Sequence, residues 1–157
     1  VKRRGAQVRY RHSWREDSLE QRLQQSLLAA LWLGETTNPL GVRLDAQGAP
    51  VAVDQGQLVV LRIGVPIAKL LLDNDQDGRA GRVRVFVTAV GEDGSQSPFS
   101  SDVATVHVPG DRWQDALGQL WGYELQLVLR AGPHKVAVGV RDQQTGLTSV
   151  VLHEVGG

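Results

Sequence analysis

Asp73, Asp75 and Asp77 fall at every second position of "DNDQDG", with Gly78 directly behind them. Oxygen ligands spaced in this way ahead of a glycine bend are how a D-x-D-x-D-G calcium loop begins. Such a loop needs a bidentate acid at its twelfth position. Counted from Asp73, that position is Arg84 and the ninth is Gly81, so a cation stands where the strongest ligand belongs. The expected role is a polar hairpin tip, because Asp and Gly suit tight turns and loop tips are hydrophilic. Calcium is the alternative, in a loop-only site that borrows backbone carbonyls and binds in the millimolar range of extracellular modules.

A second stretch, "DGSQS" at 93–97, spells D-x-S-x-S, a pattern that can set one carboxylate and two hydroxyls around Mg²⁺. That site also needs a Thr and an Asp from two further loops at the carboxyl ends of a parallel sheet. No strand–helix alternation here builds such a sheet, so the segment reads as a turn, with Asp93-Gly94 at its corner and Pro98 leaving it. His12, His107, His134 and His153 lie far apart without metal-ligand spacing and are expected to be structural. His134, after Gly132-Pro133, is placed at an exposed hairpin; His107 and His153 sit in strands and are expected to be partly buried. Cysteine is absent, and neither a nucleophile elbow nor a phosphate-cradling glycine loop occurs. The chain is therefore expected not to be an enzyme.

Aromatic residues offer binding rather than catalysis. Trp14 and Trp32 flank one apolar stripe, and Trp113 and Trp121 flank a short connection. The plain expectation is that all four seal helices against a sandwich. The sharper one makes Trp14, Trp113 and Trp121, with Val8 and Tyr10, anchors for a protein partner, a role in which Trp and Tyr are favoured. Arg3, Arg4, Arg9, Arg11 and Arg15 surround Tyr10 and Trp14, but Glu16 and Asp17 follow at once. Lys plus Arg and Asp plus Glu both number 17, so no net field draws nucleic acid or an anionic membrane. No apolar run approaches the roughly 20 residues that cross a bilayer.

The elements that must position these residues follow from periodicity. "AQVRYRH" (6–12) alternates and reads as a half-buried strand. Leu19, Leu23, Leu27 and Leu31 then repeat along one helical stripe, widened by Leu28 and Trp32, with Ser18 as N-cap and Gly34 as stop. From Asn38-Pro39 onward the period is two: 40–45, then 58–67, then Val83, Val85, Val87 and Ala89 opposite Arg82, Arg84 and Thr88. Strands follow at 102–108, from Tyr123 to Leu129, from Val136 to Val140, and in "TSVVLHEV", with a helical connection at 111–122. The expected architecture is mainly β: an antiparallel immunoglobulin-like sandwich of about seven strands, with an N-terminal strand and amphipathic helix. Residues 1–37 would form a junction to an upstream domain and 38–157 the sandwich. The opening "VKRRGAQVRYRH" carries neither an initiator Met nor a signal segment and reads as a piece of a longer chain.

"RVRVFVTAVGEDGSQSPFSSDVATVHVP" is similar to a fibronectin type III or immunoglobulin-like hairpin. The wider set "KRRGAQVRYRHSW", "NPLGVRL", "GRVRVFVTA" and "YELQLVLRAGPHKVAVGVRDQQTG" resembles the region after the A domain in bacterial von Willebrand factor A-related proteins. In that family an "RR-G--VRYR" strand closes the A domain and a sandwich ending in "V-VRD---G" follows. The resemblance implies a non-catalytic accessory module of an exported protein, periplasmic, cell-surface or secreted, working through protein contacts. It also implies an upstream A domain of the same chain as partner. With its own sheet missing, strand 6–12 would present an open edge for self-association. A calcium- or carbohydrate-binding module, with Trp113 or Trp121 as a stacking platform, is the alternative.

Overall fold

The computed structural model describes residues 14–156, with side chains from residue 18 onward. The expected strand 6–12, with Val8 and Tyr10, lies outside the described residues, and of Trp14 only its place at the start of the helix is described. Among the described residues, one long helix, α1 (Trp14–Leu33), precedes nine strands. These are β1 (Arg43–Ala46), β2 (Val51–Val53), β3 (Gly56–Pro66), β4 (Asp73–Asp75), β5 (Gly78–Gly91), β6 (Ser100–Pro109), β7 (Leu120–Leu129), β8 (His134–Asp142) and β9 (Thr148–Val155). A short α2 (Trp113–Ala116) joins β6 to β7. No helix among the described residues is long and apolar enough to cross a membrane.

All pairings are antiparallel. In the first sheet β3 is central, with β7 along one side and β1 and β2 in turn along the other. In the second, β5 has β6 on one side and, on the other, β4 near its start and β8 near its end, with β9 beyond β8. The inner faces meet in one core. Val59, Leu61, Ile63 and Val65 of β3 face Val83, Val85 and Val87 of β5 and Val136, Val138 and Val140 of β8. The expected mainly-β antiparallel sandwich is what the chain forms. Two of the nine strands, β2 and β4, have three residues each, too short to show a period, which is why about seven are legible in sequence.

The helix adds a third layer. Leu23, Leu27, Ala30 and Leu31 pack on Phe86, Val90, Ala137 and Val150, the outer face of the second sheet. The side of β5 opposite Val83, Val85 and Val87 is therefore covered along much of its length, although Arg82 stays exposed. Thr88 is buried, its hydroxyl donating to the Ser97 carbonyl at 2.8 Å, and Arg84 lies 3.5 Å from the Glu20 carboxylate. Phe86 has room because Gly139 stands opposite it on β8; a Cβ there would fall 2.1 Å from the ring.

Helix α1 begins at Trp14 rather than at Ser18; Glu16 and Asp17 suit the first turn of a helix, whose dipole favours acids there. It ends as expected at Gly34, whose φ of 73° lets its N–H reach the Ala30 carbonyl at 2.9 Å while Glu35 N–H reaches Ala29. Asn38 then closes a turn, its side chain accepting from Val42 N–H at 2.7 Å and donating to Val42 O at 3.0 Å. That turn delays β1 to Arg43, three residues beyond the expected start. The helical connection expected over 111–122 is likewise shorter, because Leu120 already pairs with Pro66.

Candidate interaction cleft

The structure does not bring the three aspartates of the acidic hairpin into one ligand set. Asp73 and Asp75 lie in β4, and Gln76-Asp77 form a two-residue tip before β5. The Gln144 side-chain amide donates to the Asp73 carboxylate. Asp75 accepts from Gln76 N–H at 2.7 Å and faces His107 Nε2 at 3.8 Å. Asp77 takes part through its carbonyl, which accepts from Gly110 N–H at 2.9 Å. Among the described residues no three ligating side chains gather anywhere.

Trp113 and Trp121 are half-buried against the inter-sheet core. The Arg79 guanidinium lies 4.3 Å above the Trp113 ring, and Trp121 packs on Tyr123 at 5.7 Å between centroids. Both rings thus pack partly buried against the sandwich, Trp113 from the short α2 and Trp121 from β7 itself.

His134 is not at an exposed hairpin: its relative exposure is 8%. Pro133 leads directly into β8, so His134 is already paired with Gly91 and Val155, and its Nδ1 lies 2.9 Å from the Gly132 carbonyl. His107, in β6, is exposed instead, and His153 is half-buried. Around Gly91 three polar atoms converge: His134 Nε2, Asp93 Oδ1 and Ser95 Oγ each lie 3.0–3.2 Å from the place a Cβ would occupy. A serine, an acid and an imidazole are thus neighbours, but the wiring is that of a turn. The Ser95 hydroxyl donates to Asp93 Oδ1 at 2.7 Å and its N–H to the same oxygen at 3.0 Å. The serine proton thus points at the acid and away from the base that would have to remove it.

Those two bonds, the hydroxyl first, hold the Asp93 carboxyl below its usual 3.8. A depressed folded value means that the turn's stabilisation is complete above that pH and is lost as pH falls through the folded value. The Asp93 carboxyl is expected to titrate below 3.8 in a carbon-detected NMR titration, and Ser95→Ala to bring it back up.

The neighbouring cleft holds about 490 Å³ between the end of α1 and the ends of β5, β8 and β9. Leu31 and Trp32 form its helical wall, and Glu92, His134, Lys135 and Glu154 its polar wall. Trp32 is 57% exposed, which corrects its placement in the buried stripe. The signal was present in the sequence. Five residues beyond Leu27, Trp32 is rotated by about 140° from it at 3.6 residues per turn, so it leaves the buried face. Lys135 and Glu154 are cross-strand partners. The last turn of α1 contains no basic residue, so its carbonyl end adds partial negative charge to this rim.

No family model matches the chain, and no curated protein matches it. Among solved structures it is similar to part of a β-glucuronidase of Bacteroides uniformis, with 10% identity and a TM-score of 0.45 over 74% of this chain. The overlap spans only 13% of the glucuronidase. The chain is also similar to the structural-genomics target SoR45, with 8% identity and a TM-score of 0.39 over 77% of this chain and 90% of that one. Neither overlap is close enough to carry an argument about activity.

Proposed function

We propose that the chain is a non-catalytic interaction module, acting through protein contacts made at the cleft beside the end of α1. The observation that carries this reading is Trp32, a large aromatic left 57% exposed at the rim of a concave, mixed-polarity surface. Exposed Trp beside a pocket is the residue type on which interface energy concentrates. The resemblance of the sequence to the region after the A domain of von Willebrand factor A-related proteins supports the finer reading, an accessory module of an exported protein.

The test is a selection of displayed peptides against the folded chain and against its Trp32→Ala variant. The expected outcome is enrichment of peptides that bind the parent chain and lose at least about tenfold in affinity to the variant. The variant should melt within about 2 °C of the parent, since an exposed side chain away from the core contributes little to stability. Selection that returns only peptides indifferent to Trp32, or binding confined to glycans or calcium in parallel calorimetry, would sink the reading.

A further inference from the structure

Among the described residues, the edge of the second sheet left open beyond Thr37 lies against the same cleft. In an antiparallel ladder, successive residues direct their N–H and C=O groups alternately to the two neighbouring strands. Val150 of β9 exchanges both of its groups with Thr37, at 3.3 and 2.7 Å, so it points away from β8. Asp142 N–H reaches the Leu147 carbonyl at 2.9 Å, which fixes the odd-numbered positions as those facing β8. By the same alternation Leu152 and Glu154 direct their backbone groups outward, and no backbone group of the described residues meets them. The segment after α1 thus supplies one rung, at Thr37, and stops. A second hollow of about 480 Å³ runs beside that rung, from Gly34 to Asn38 along Val150 and Leu152, and the Trp32 cleft begins at Glu154.

We infer that the β9 edge beyond Thr37 receives an extended basic peptide of a partner protein, which continues the ladder with its alternate side chains over the Trp32 cleft. This rests on the interaction reading above and names the partner's conformation and charge. The charge follows from the rim. Among the described residues, Glu92 and Glu154 have no ion-pair partner and Lys135 is the one Lys or Arg on the cleft wall. A Lys or Arg of the incoming strand would meet these carboxylates and the face of Trp32, an arrangement that favours cations. Glu154 also guards the edge: a charge there disfavours indiscriminate pairing, and a complementary cation turns that guard into a contact.

The probe is a short synthetic peptide of alternating valine and lysine, followed by fluorescence anisotropy with the purified chain. Methylating the backbone nitrogens of one alternate set should weaken binding at least about tenfold, while methylating the other set changes it less than about twofold. Glu154→Pro should abolish binding without disturbing β9, because the N–H it removes faces the edge; its melting temperature checks this. Glu154→Gln, and a valine–glutamate peptide, separate charge from backbone and should each weaken binding. Equal binding of both methylated peptides would overturn the inference, as would full binding by Glu154→Pro. Selected peptides that need Trp32 yet tolerate methylation of either set would also overturn it, while leaving the interaction reading intact. Self-association without peptide that Glu154→Pro disrupts would assign the edge to a second copy and overturn it too.

Discussion

Phe86→Ala is expected to destabilise the fold by about 3–5 kcal/mol, the range for deleting a fully buried aromatic ring. Phe86 is 0% exposed and sits where α1 crosses the second sheet, touching the helix stripe above and Gly139 alongside. Its ring also packs on Phe99 at 6.4 Å between centroids. The cavity would open between two rigid layers that cannot easily collapse, which places the cost toward the upper end. Urea unfolding followed by circular dichroism reads it directly. The reverse error is instructive: Gly139→Ala places a methyl 2.1 Å from the same ring and should cost about 1–3 kcal/mol through overpacking. Combining Gly139→Ala with Phe86→Leu should recover part of that loss, since the two residues compete for one space. Additive losses would show that the ring does not depend on the glycine.

Asp142→Ala is expected to cost about 2–4 kcal/mol, from two charge-assisted hydrogen bonds lost at one buried carboxylate. Asp142 is 1% exposed; its Oδ2 accepts from Leu71 N–H at 2.9 Å and its Oδ1 from Gln144 N–H at 2.8 Å. The first bond ties the crossover between the sheets to the second sheet, and the other shapes the β8–β9 turn. Asp142→Asn keeps one acceptor and should lose about half as much. Hydrogen exchange at Leu71 and Gln144 should speed up in both variants, with Leu71 the more affected in Asp142→Ala. Unchanged exchange at Leu71 would remove the clasp from the account. The "V-VRD---G" stretch thus places an acid that does structural work: Asp142 and Gly146 close the turn together, Gly146 N–H reaching the Asp142 carbonyl at 2.8 Å.

The inner faces were legible because burial on one side imposes a period of two. Val59, Leu61, Ile63 and Val65 show it, as do Val136, Val138 and Val140. The outer face of the second sheet was not, because α1 buries it as well: Phe86, Thr88 and Val90 fill the gaps in the pattern of β5, and a strand covered twice loses its alternation. Strand order was hidden for a different reason, since pairing joins residues as distant in sequence as Gln57 of β3 and Leu129 of β7. The acidic hairpin could be read as a turn from its residue types alone. The cleft could not, for it needs three chain segments to arrive at one corner; only the rotation of Trp32 off the stripe announced it. The open edge of β9 depends on which backbone groups Thr37 engages, and side-chain types do not encode that.

The attachment of α1 has a mechanical consequence. Side-chain packing and the Glu20–Arg84 pair hold it to the sheet, whereas β9 is held by an eight-residue ladder to β8. Tension entering through the start of the helix would strip those contacts one turn after another, at low force. Tension along β9 would load its ladder in shear, many bonds at once, at high force. The two layers therefore act in series as a compliant spring and a stiff one, and a tug on the helix would be absorbed there before the sandwich yielded.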